Sequence, residues 1–535
     1  MIPLAMRARL TRTRPDDLRA AATRVAPWTA AALAVAVLAL AAAWGTNAVG
    51  GSDSHCYVGQ ARMFLGGALS LPPPLSGPVS WPNAAATFVP SGFANDGSSG
   101  RAVPLCPAGL SIVMAAFMAV GGDGAWFWVV PLFAAIAVWC TFVLGRRLGN
   151  DGVGLAAACL LACSPVFLYQ AFQPMSDVPA AALWAASLAA ALAFPALSGP
   201  GGRVEGSPAS LFSGLLAGAA ITIRPNLAPL ALVPMLLGWR GWRAAAAFIA
   251  GVVPGVAIVA ALQALMYGSP LRSGYGSLSG LFSLAHVGPN LVRYPTWLIE
   301  THTPALALAL AAPFVARRPR AAWLLLGFSV VTLGLYLPYV VFGDWSYARF
   351  LLPAMPVIAV LLSTAAWELL RRLPRRIGPV VFAVAAVALG ALWMTNARDH
   401  GVLRVKAVER KYPELGRYAA ADLPANAVVF AAQPSGAVRF YAGLPTLSWD
   451  AIEPDWLERA AAELVALGHE PYLAIENWET DAFRDRFASK SAFGHLDWPP
   501  RAVIGRVISL YRLGDRSSYI RGERIPTTRI TWPMK

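Results

Sequence analysis

The chain alternates long apolar runs with short polar stretches in which arginine is concentrated. The apolar runs fall at 26–48, 105–121, 125–144, 152–169, 178–195, 209–223, 226–239, 244–266, 303–316, 321–342, 349–369 and 378–396. A bilayer core about 30 Å thick is crossed by about 20 apolar residues in a helix, so this pattern predicts a polytopic α-helical membrane protein. The run 26–48 follows a basic segment, as in a signal peptide, but it is long enough to span and no clean small-residue cleavage site follows it. It reads as a retained first span.

Arginine placement decides how many runs cross. If 105–121 lies on the membrane surface and the N-terminus is cytoplasmic, the inner side collects Arg7, Arg9, Arg12, Arg14, Arg19, Arg24, Arg146, Arg147, Arg203, Arg240, Arg243, Arg317, Arg318, Arg320, Arg371, Arg372, Arg375 and Arg376. The outer side then keeps only Arg62, Arg101, Arg224, Arg272, Arg293 and Arg349. Letting 105–121 cross reverses that balance. The positive-inside rule therefore favours about eleven spans, with the N-terminus inside and the C-terminus outside. Pro104 and Pro107 before the surface segment, and Gly121-Gly122 after it, fit the same reading.

This topology divides the chain into a cytoplasmic basic N-terminus (1–25), a membrane domain (26–396) with long outer loops at 49–124 and 267–302, and an extracytoplasmic tail (397–535). Only 13% of the residues are charged and 57% are hydrophobic, which excludes a water-soluble enzyme over the whole length. The net charge of +15 does not imply a nucleic-acid partner, because the basic residues cluster between apolar runs while the tail is nearly balanced. In the tail, strands at 427–432, 471–476 and 502–511 alternate with helices at 455–467 and 480–488, predicting a small α/β domain. It carries no GxGxxG or P-loop motif.

Acids are rare in the membrane half, so each one is informative. Asp53 closely follows the first span and Asp177 opens the run at 178–195; the topology puts both at the outer surface. A carboxylate at a span boundary is a functional candidate, although Asp177 before Val178-Pro179 would also serve as a helix N-cap. Arg224, Arg349, Arg272 and Arg293 share that face, where a guanidinium suits a phosphate oxygen; snorkelling, or a bridge such as Asp344–Arg349, is the plainer alternative. His55, His286, His302 and Glu300 are weak candidates for a divalent metal, without diagnostic spacing. Cys56 and Cys106 both fall in the first outer loop. A bridge between them and two separate thiols are both open on sequence alone.

Several short motifs occur in a telling order: Asp53 with Tyr57 and Ala61, Arg146-Arg147-Leu148-Gly149, Cys163-Ser164-Pro165, Met175-Ser176-Asp177-Val178-Pro179, Ile223-Arg224-Pro225, and Tyr347-Ala348-Arg349-Phe350-Leu351-Leu352-Pro353. Over residues 26–370 the chain resembles the bacterial type-C (GT-C) glycosyltransferases of the protein O-mannosyltransferase and lipid A aminoarabinose transferase group. The resemblance implies a polyprenyl-phosphate sugar donor, a glycan, lipid or protein acceptor, and transfer at the outer face of the bacterial cytoplasmic membrane. It implies that Asp53 acts as general base. Many relatives carry a second acid beside the first, where this chain has Ser54, so metal dependence stays open. The alternative is a polytopic transporter or lipid-linked-sugar flippase, which would place ionisable groups near the bilayer midplane.

Overall fold

A computed structural model of the protein describes residues 15–75, 79–95, 101–193, 207–276 and 278–533. Arg7, Arg9, Arg12, Arg14 and Arg203, which entered the orientation count, lie outside the described residues. Among the described residues six helices are long and apolar enough to cross a membrane: Arg24–Trp44, Asp123–Leu148, Trp242–Tyr267, Pro319–Tyr336, Trp345–Leu370 and Gly378–Asp399. Two further stretches are bent pairs. Asp151–Ala162 meets Pro165–Ala171 at 63°, and Leu284–His302 meets Pro304–Val315 at 106°. Proline causes both breaks, since its ring clashes with the preceding turn and it has no N–H to donate. Asp177–Ala191, Pro208–Ile223 and Pro225–Leu237 are shorter apolar helices. Each of the eleven expected spans thus has a helical counterpart, several of them short or bent.

Close backbone approach holds part of the bundle. Helices Ser207–Ile223 and Trp242–Tyr267 face each other through Gly214, Gly218, Gly251 and Gly255. A Cβ on Gly255 would sit 2.2 Å from the Gly218 carbonyl oxygen. Small residues four apart on each helix permit this contact, as in membrane helix pairs generally.

The charged residues sort to the two ends. At one end Arg146 pairs with Asp151, Arg317 and Arg371 both pair with Glu368, and Arg318 donates to the Arg147 carbonyl. At the other end lie Asp53, Asp177, Arg224 and Arg349, beside the C-terminal region. Helix Ala108–Gly121 stays at this second end. Gly109, near its start, packs on Thr222 at the close of Ser207–Ile223, and Phe127, just beyond its end, packs on Gly45 after the first helix. Contacts at both ends of this helix thus lie at the same end of the bundle.

The two long loops, 49–124 and 267–302, are more ordered than their composition suggests. Helix Ser52–Leu65 starts directly after the first span, and β1 (Phe93–Asn95) pairs antiparallel with β2 (Ala102–Pro104). Cys56 and Cys106 are disulfide-bonded, with Cα atoms 6.0 Å apart, tying Ser52–Leu65 to the start of Ala108–Gly121. The 267–302 loop contains an amphipathic helix, Val287–His302. It buries Asn290, Tyr294, Trp297 and His302 and exposes Leu291, Val292 and Ile299.

The tail forms a mixed six-stranded sheet of β3 (Ala427–Phe430), β4 (Thr446–Leu447), β5 (Glu470–Glu476), β6 (Ala502–Ile504), β7 (Ile508–Arg512) and β8 (Thr528–Ile530), in the order β4-β3-β5-β7-β6-β8. The expected single strand 502–511 is a hairpin. Gly505 and Arg506 both have positive φ and Val507 N–H donates to the Ile504 carbonyl, a two-residue turn that reverses the chain. Trp81 and Phe88 of the first loop share a core with Phe430, Trp449 and Phe483, so loop and tail pack as one layer over the bundle end.

Candidate active site

Four polypeptide breaks converge beneath that layer. Gly51 precedes helix Ser52–Leu65, putting Asp53 in its first turn. Asp177 is the first residue of Asp177–Ala191. Arg224 follows the last residue of Ser207–Ile223, where the carbonyl end of the helix favours a cation. Arg349 sits in the 3-10 helix Trp345–Ala354, whose N-cap Asp344 accepts the Ser346 N–H at 2.9 Å.

The side chains form two ion pairs. Arg349 Nη1 lies 2.9 Å from Asp53 Oδ2, and Arg224 Nη2 lies 2.7 Å from Asp177 Oδ1. Among the described residues Arg349 pairs with Asp53 and not with Asp344, whose Oδ1 caps its helix. The N-cap alternative for Asp177 also fails, since its carboxylate accepts no backbone N–H. Asp177 is almost wholly enclosed, at 1% side-chain exposure, whereas Asp53 keeps 33%. Arg224 also donates to Ser176 Oγ at 3.0 Å and Tyr336 OH at 3.2 Å; Tyr57 OH donates to Ser176 Oγ at 2.8 Å. Phe350 stacks on Tyr336 with centroids 5.0 Å apart, and both guanidiniums lie within 6 Å of its ring centre: 5.9 Å for Arg224 and 5.3 Å for Arg349.

Three cavities meet here. A central one of about 250 Å³ is walled by Asp53, Tyr57, Asp177, Arg224, Tyr347 and Arg349. A second, of about 410 Å³, shares Tyr57, Arg224 and Phe350 with it and runs along apolar Ile258, Val259, Leu262 and Met266. Ile258 is exposed on the bundle surface, so this cavity reaches the region where lipid chains would lie. A third, of about 360 Å³, shares Asp53, Tyr347 and Arg349 with the central one and opens toward Glu409, Tyr412, Gln433 and Trp478 of the tail. Burial raises the Glu409 carboxyl above its ordinary range, opposed by the Lys411 ammonium.

The other sequence candidates fall elsewhere. Arg293 donates to the Phe342 carbonyl and Arg272 is exposed; neither lines these cavities. His55 is buried with Nδ1 2.7 Å from the Ser91 carbonyl and its ring against Phe93. Desolvation pulls its pKa down to about 4, aided by Arg439 and Arg62 and opposed by the Ser91 carbonyl. His286 contacts the Pro338 carbonyl, and His302 lies between Ser164 and Thr301 with its ring on Trp393. Glu300 presents only its carbonyl, to Asn396. The four suggested metal ligands are therefore dispersed. Among the described residues no three His, Cys, Asp or Glu stand close enough to hold a metal, and both site carboxylates face guanidiniums. This donor set does not fit a divalent ion.

Composition could not single out Asn226, whose Nδ2 donates to Tyr336 OH at 2.9 Å, or Tyr275, Tyr336 and Tyr339, which line the lipid-side cavity. They are ordinary polar residues at the ends of apolar runs, and only Arg224-Pro225-Asn226 hinted at a polar turn there.

Residues 100–192 match the family model described as oligosaccharyl transferase STT3, N-terminal. Among solved structures, ArnT from Cupriavidus metallidurans in the apo state matches over 90% of this chain and 96% of its own, with TM-score 0.55 and 14% identity. The chain has the GT-C fold. The same transferase was also solved bound to undecaprenyl phosphate. The Archaeoglobus fulgidus oligosaccharyltransferase tethered to an acceptor peptide aligns over 84% of this chain and 69% of its own, with TM-score 0.52 and 11% identity; another structure of it holds zinc and sulfate. The mycobacterial arabinofuranosyltransferase AftD aligns over 84% of this chain and 35% of its own, with TM-score 0.50 and 17% identity. No curated protein matches the sequence. Across the GT-C fold of this chain, the two ion pairs and three cavities occupy the bundle end covered by the tail.

Proposed function

We propose that the protein is a membrane glycosyltransferase moving a sugar from a polyprenyl-phosphate donor to an acceptor hydroxyl at the outer face of the bacterial cytoplasmic membrane. The observation that carries this reading is the meeting of a lipid-side and a tail-side cavity at Asp53, with two arginines in the wall between them. The prenyl chain enters along Ile258, Leu262 and Met266, and the phosphate reaches Arg224 and Arg349. A guanidinium offers paired donors to phosphate oxygens. Asp177 positions Arg224, its almost wholly enclosed carboxylate being held in the ion pair with Arg224 Nη2.

Asp53 supplies the base. Its Oδ2 is engaged by Arg349, and its Oδ1 has no hydrogen-bond partner among the described residues. The arriving phosphate competes for Arg349 and loosens its hold on the carboxylate once donor is bound. The acceptor hydroxyl gives its proton to Asp53 as its oxygen bonds to the anomeric carbon. The carbon–oxygen bond to phosphate breaks, and polyprenyl phosphate leaves with the electron pair, its charge met by the arginines. A positioned base contributes about 10²–10⁴-fold, and fixed charges at the leaving group a comparable factor.

The transporter alternative draws no support from the geometry, because the ionisable site groups gather at one bundle end. Membranes containing the protein, incubated with radiolabelled polyprenyl-phosphate sugars, should pass label from at least one donor to an endogenous acceptor and release unlabelled polyprenyl phosphate. Label crossing the bilayer with its lipid intact would instead identify a flippase.

A further inference from the structure

The tail-side cavity has unmet hydrogen-bonding capacity that the transfer reaction alone does not explain. Gln170 lines it, is 1% exposed, and its Oε1 has no hydrogen-bond partner. Burying an amide oxygen without a donor forfeits its bond to water, so such atoms ordinarily have a partner. Glu409 lines the same space, and its side chain makes no hydrogen bond or ion pair among the described residues. Gln433 is held only loosely, with Nε2 at 3.5 Å from Tyr412 OH and Oε1 at 3.5 Å from Ser91 Oγ. With Asp53 Oδ1, the wall presents three sets of acceptor oxygens awaiting donors. At the rim the Trp478 indole is 68% exposed, with its Nε1–H fixed on Glu476 Oε2 at 3.0 Å. The fixed N–H leaves an oriented aromatic face beside a polar hollow.

We infer that this cavity is an acceptor subsite for a neutral carbohydrate, whose ring stacks on Trp478 and whose hydroxyls donate to Glu409, Gln170 and Asp53. The inference rests on the transferase reading, which it deepens by naming the acceptor class. A sugar fits on two counts. It carries several O–H donors on one compact ring, matching a wall rich in acceptors, and its C–H face packs on an aromatic surface. Among the lining residues two carboxylates stand against one guanidinium, and Lys411 behind Glu409 is already paired with Glu476, which disfavours an anionic acceptor such as a phosphorylated headgroup. A peptide brings one backbone donor per residue, and no strand is among the lining residues to pair with it.

The test uses the full chain in lipid nanodiscs and saturation-transfer NMR with mannobiose, galactobiose, arabinobiose, a Ser/Thr-containing hexapeptide amide and undecaprenyl phosphate. At least one disaccharide should take up saturation. Trp478→Ala, at an exposed site that leaves folding intact, and Glu409→Gln should each weaken that binding by about tenfold, the scale of one lost contact to a charged or stacking group. Neither should alter undecaprenyl phosphate binding. Silence of all three disaccharides, binding of the hexapeptide in their place, or disaccharide binding unmoved by both variants overturns the inference. Disaccharide binding without any undecaprenyl phosphate binding would support the sugar site while sinking the donor assignment.

Discussion

At the scale of single residues, the site is organised by which carboxylate keeps an accessible oxygen. Asp53 and Asp177 are each paired with an arginine, yet only Asp53 is a third exposed. Breaking a buried pair strands a charge, so Asp177 is best understood through the arginine it holds. His55, two residues from Asp53, has a different task. It is a buried neutral ring joining helix Ser52–Leu65 to the Ser91 carbonyl, packed closely on Gly436. Its pKa falls from 6.5 in the unfolded chain to about 4 in the fold. Between those values the unfolded chain binds a proton that the folded chain refuses. The stability present above pH 6.5 is therefore lost as pH falls through this window, by about 3 kcal/mol in all. Thermal melts of the full chain from pH 7.5 to 4.5 should decline less steeply for His55→Gln than for the wild type. Equal slopes would remove His55 from the account.

At the scale of elements, the disulfide and the surface helix together set the position of Asp53. Cys56–Cys106 closes a 50-residue separation and anchors helix Ser52–Leu65 to Ala108–Gly121. On the loop-closure model such a crosslink contributes about 4 kcal/mol. Alkylation without reductant should label Cys140, Cys159 and Cys163 only, and Cys56→Ser should make the 66–104 segment sensitive to limited proteolysis. Labelling of Cys56 in unreduced protein would contradict the bridge. The membrane helices were legible because apolar run length acts locally along the chain. Val287–His302 was not, because Pro289 and Pro295 interrupt its pattern and its polar face is buried in the protein while its apolar face is outward. The β6–β7 turn was hidden for another reason: Ala502–Arg512 is apolar enough throughout to pass for one strand, and only the backbone at Gly505-Arg506 reverses it. The site was half legible. Its acids and two of its arginines stood out by rarity, but the pairing of residues 296 positions apart is set by packing that no local pattern reports.

At the scale of the whole molecule, the fold brings a lipid-side and a tail-side cavity together at one site. On the proposed reading, lipid reaches Arg224 along the first and acceptor reaches Asp53 along the second, while the opposite bundle end is tied by the Arg146, Arg317 and Arg371 pairs. That polarity matches the arginine count, so alkaline phosphatase fused after residue 396 should be active and a fusion after residue 149 inactive. The reverse pattern would turn the site toward the cytoplasm, where nucleotide sugars would make a lipid-borne donor unnecessary. The central claim is that Asp53 removes the acceptor proton while arginines hold the donor phosphate. Its most direct test compares Asp53→Asn with wild type in nanodiscs, measuring undecaprenyl phosphate binding and sugar transfer on the same preparation. Because Asn keeps the size but cannot take the proton, binding should persist while transfer falls by about 10²–10⁴-fold. Transfer at the wild-type rate in Asp53→Asn would contradict the account.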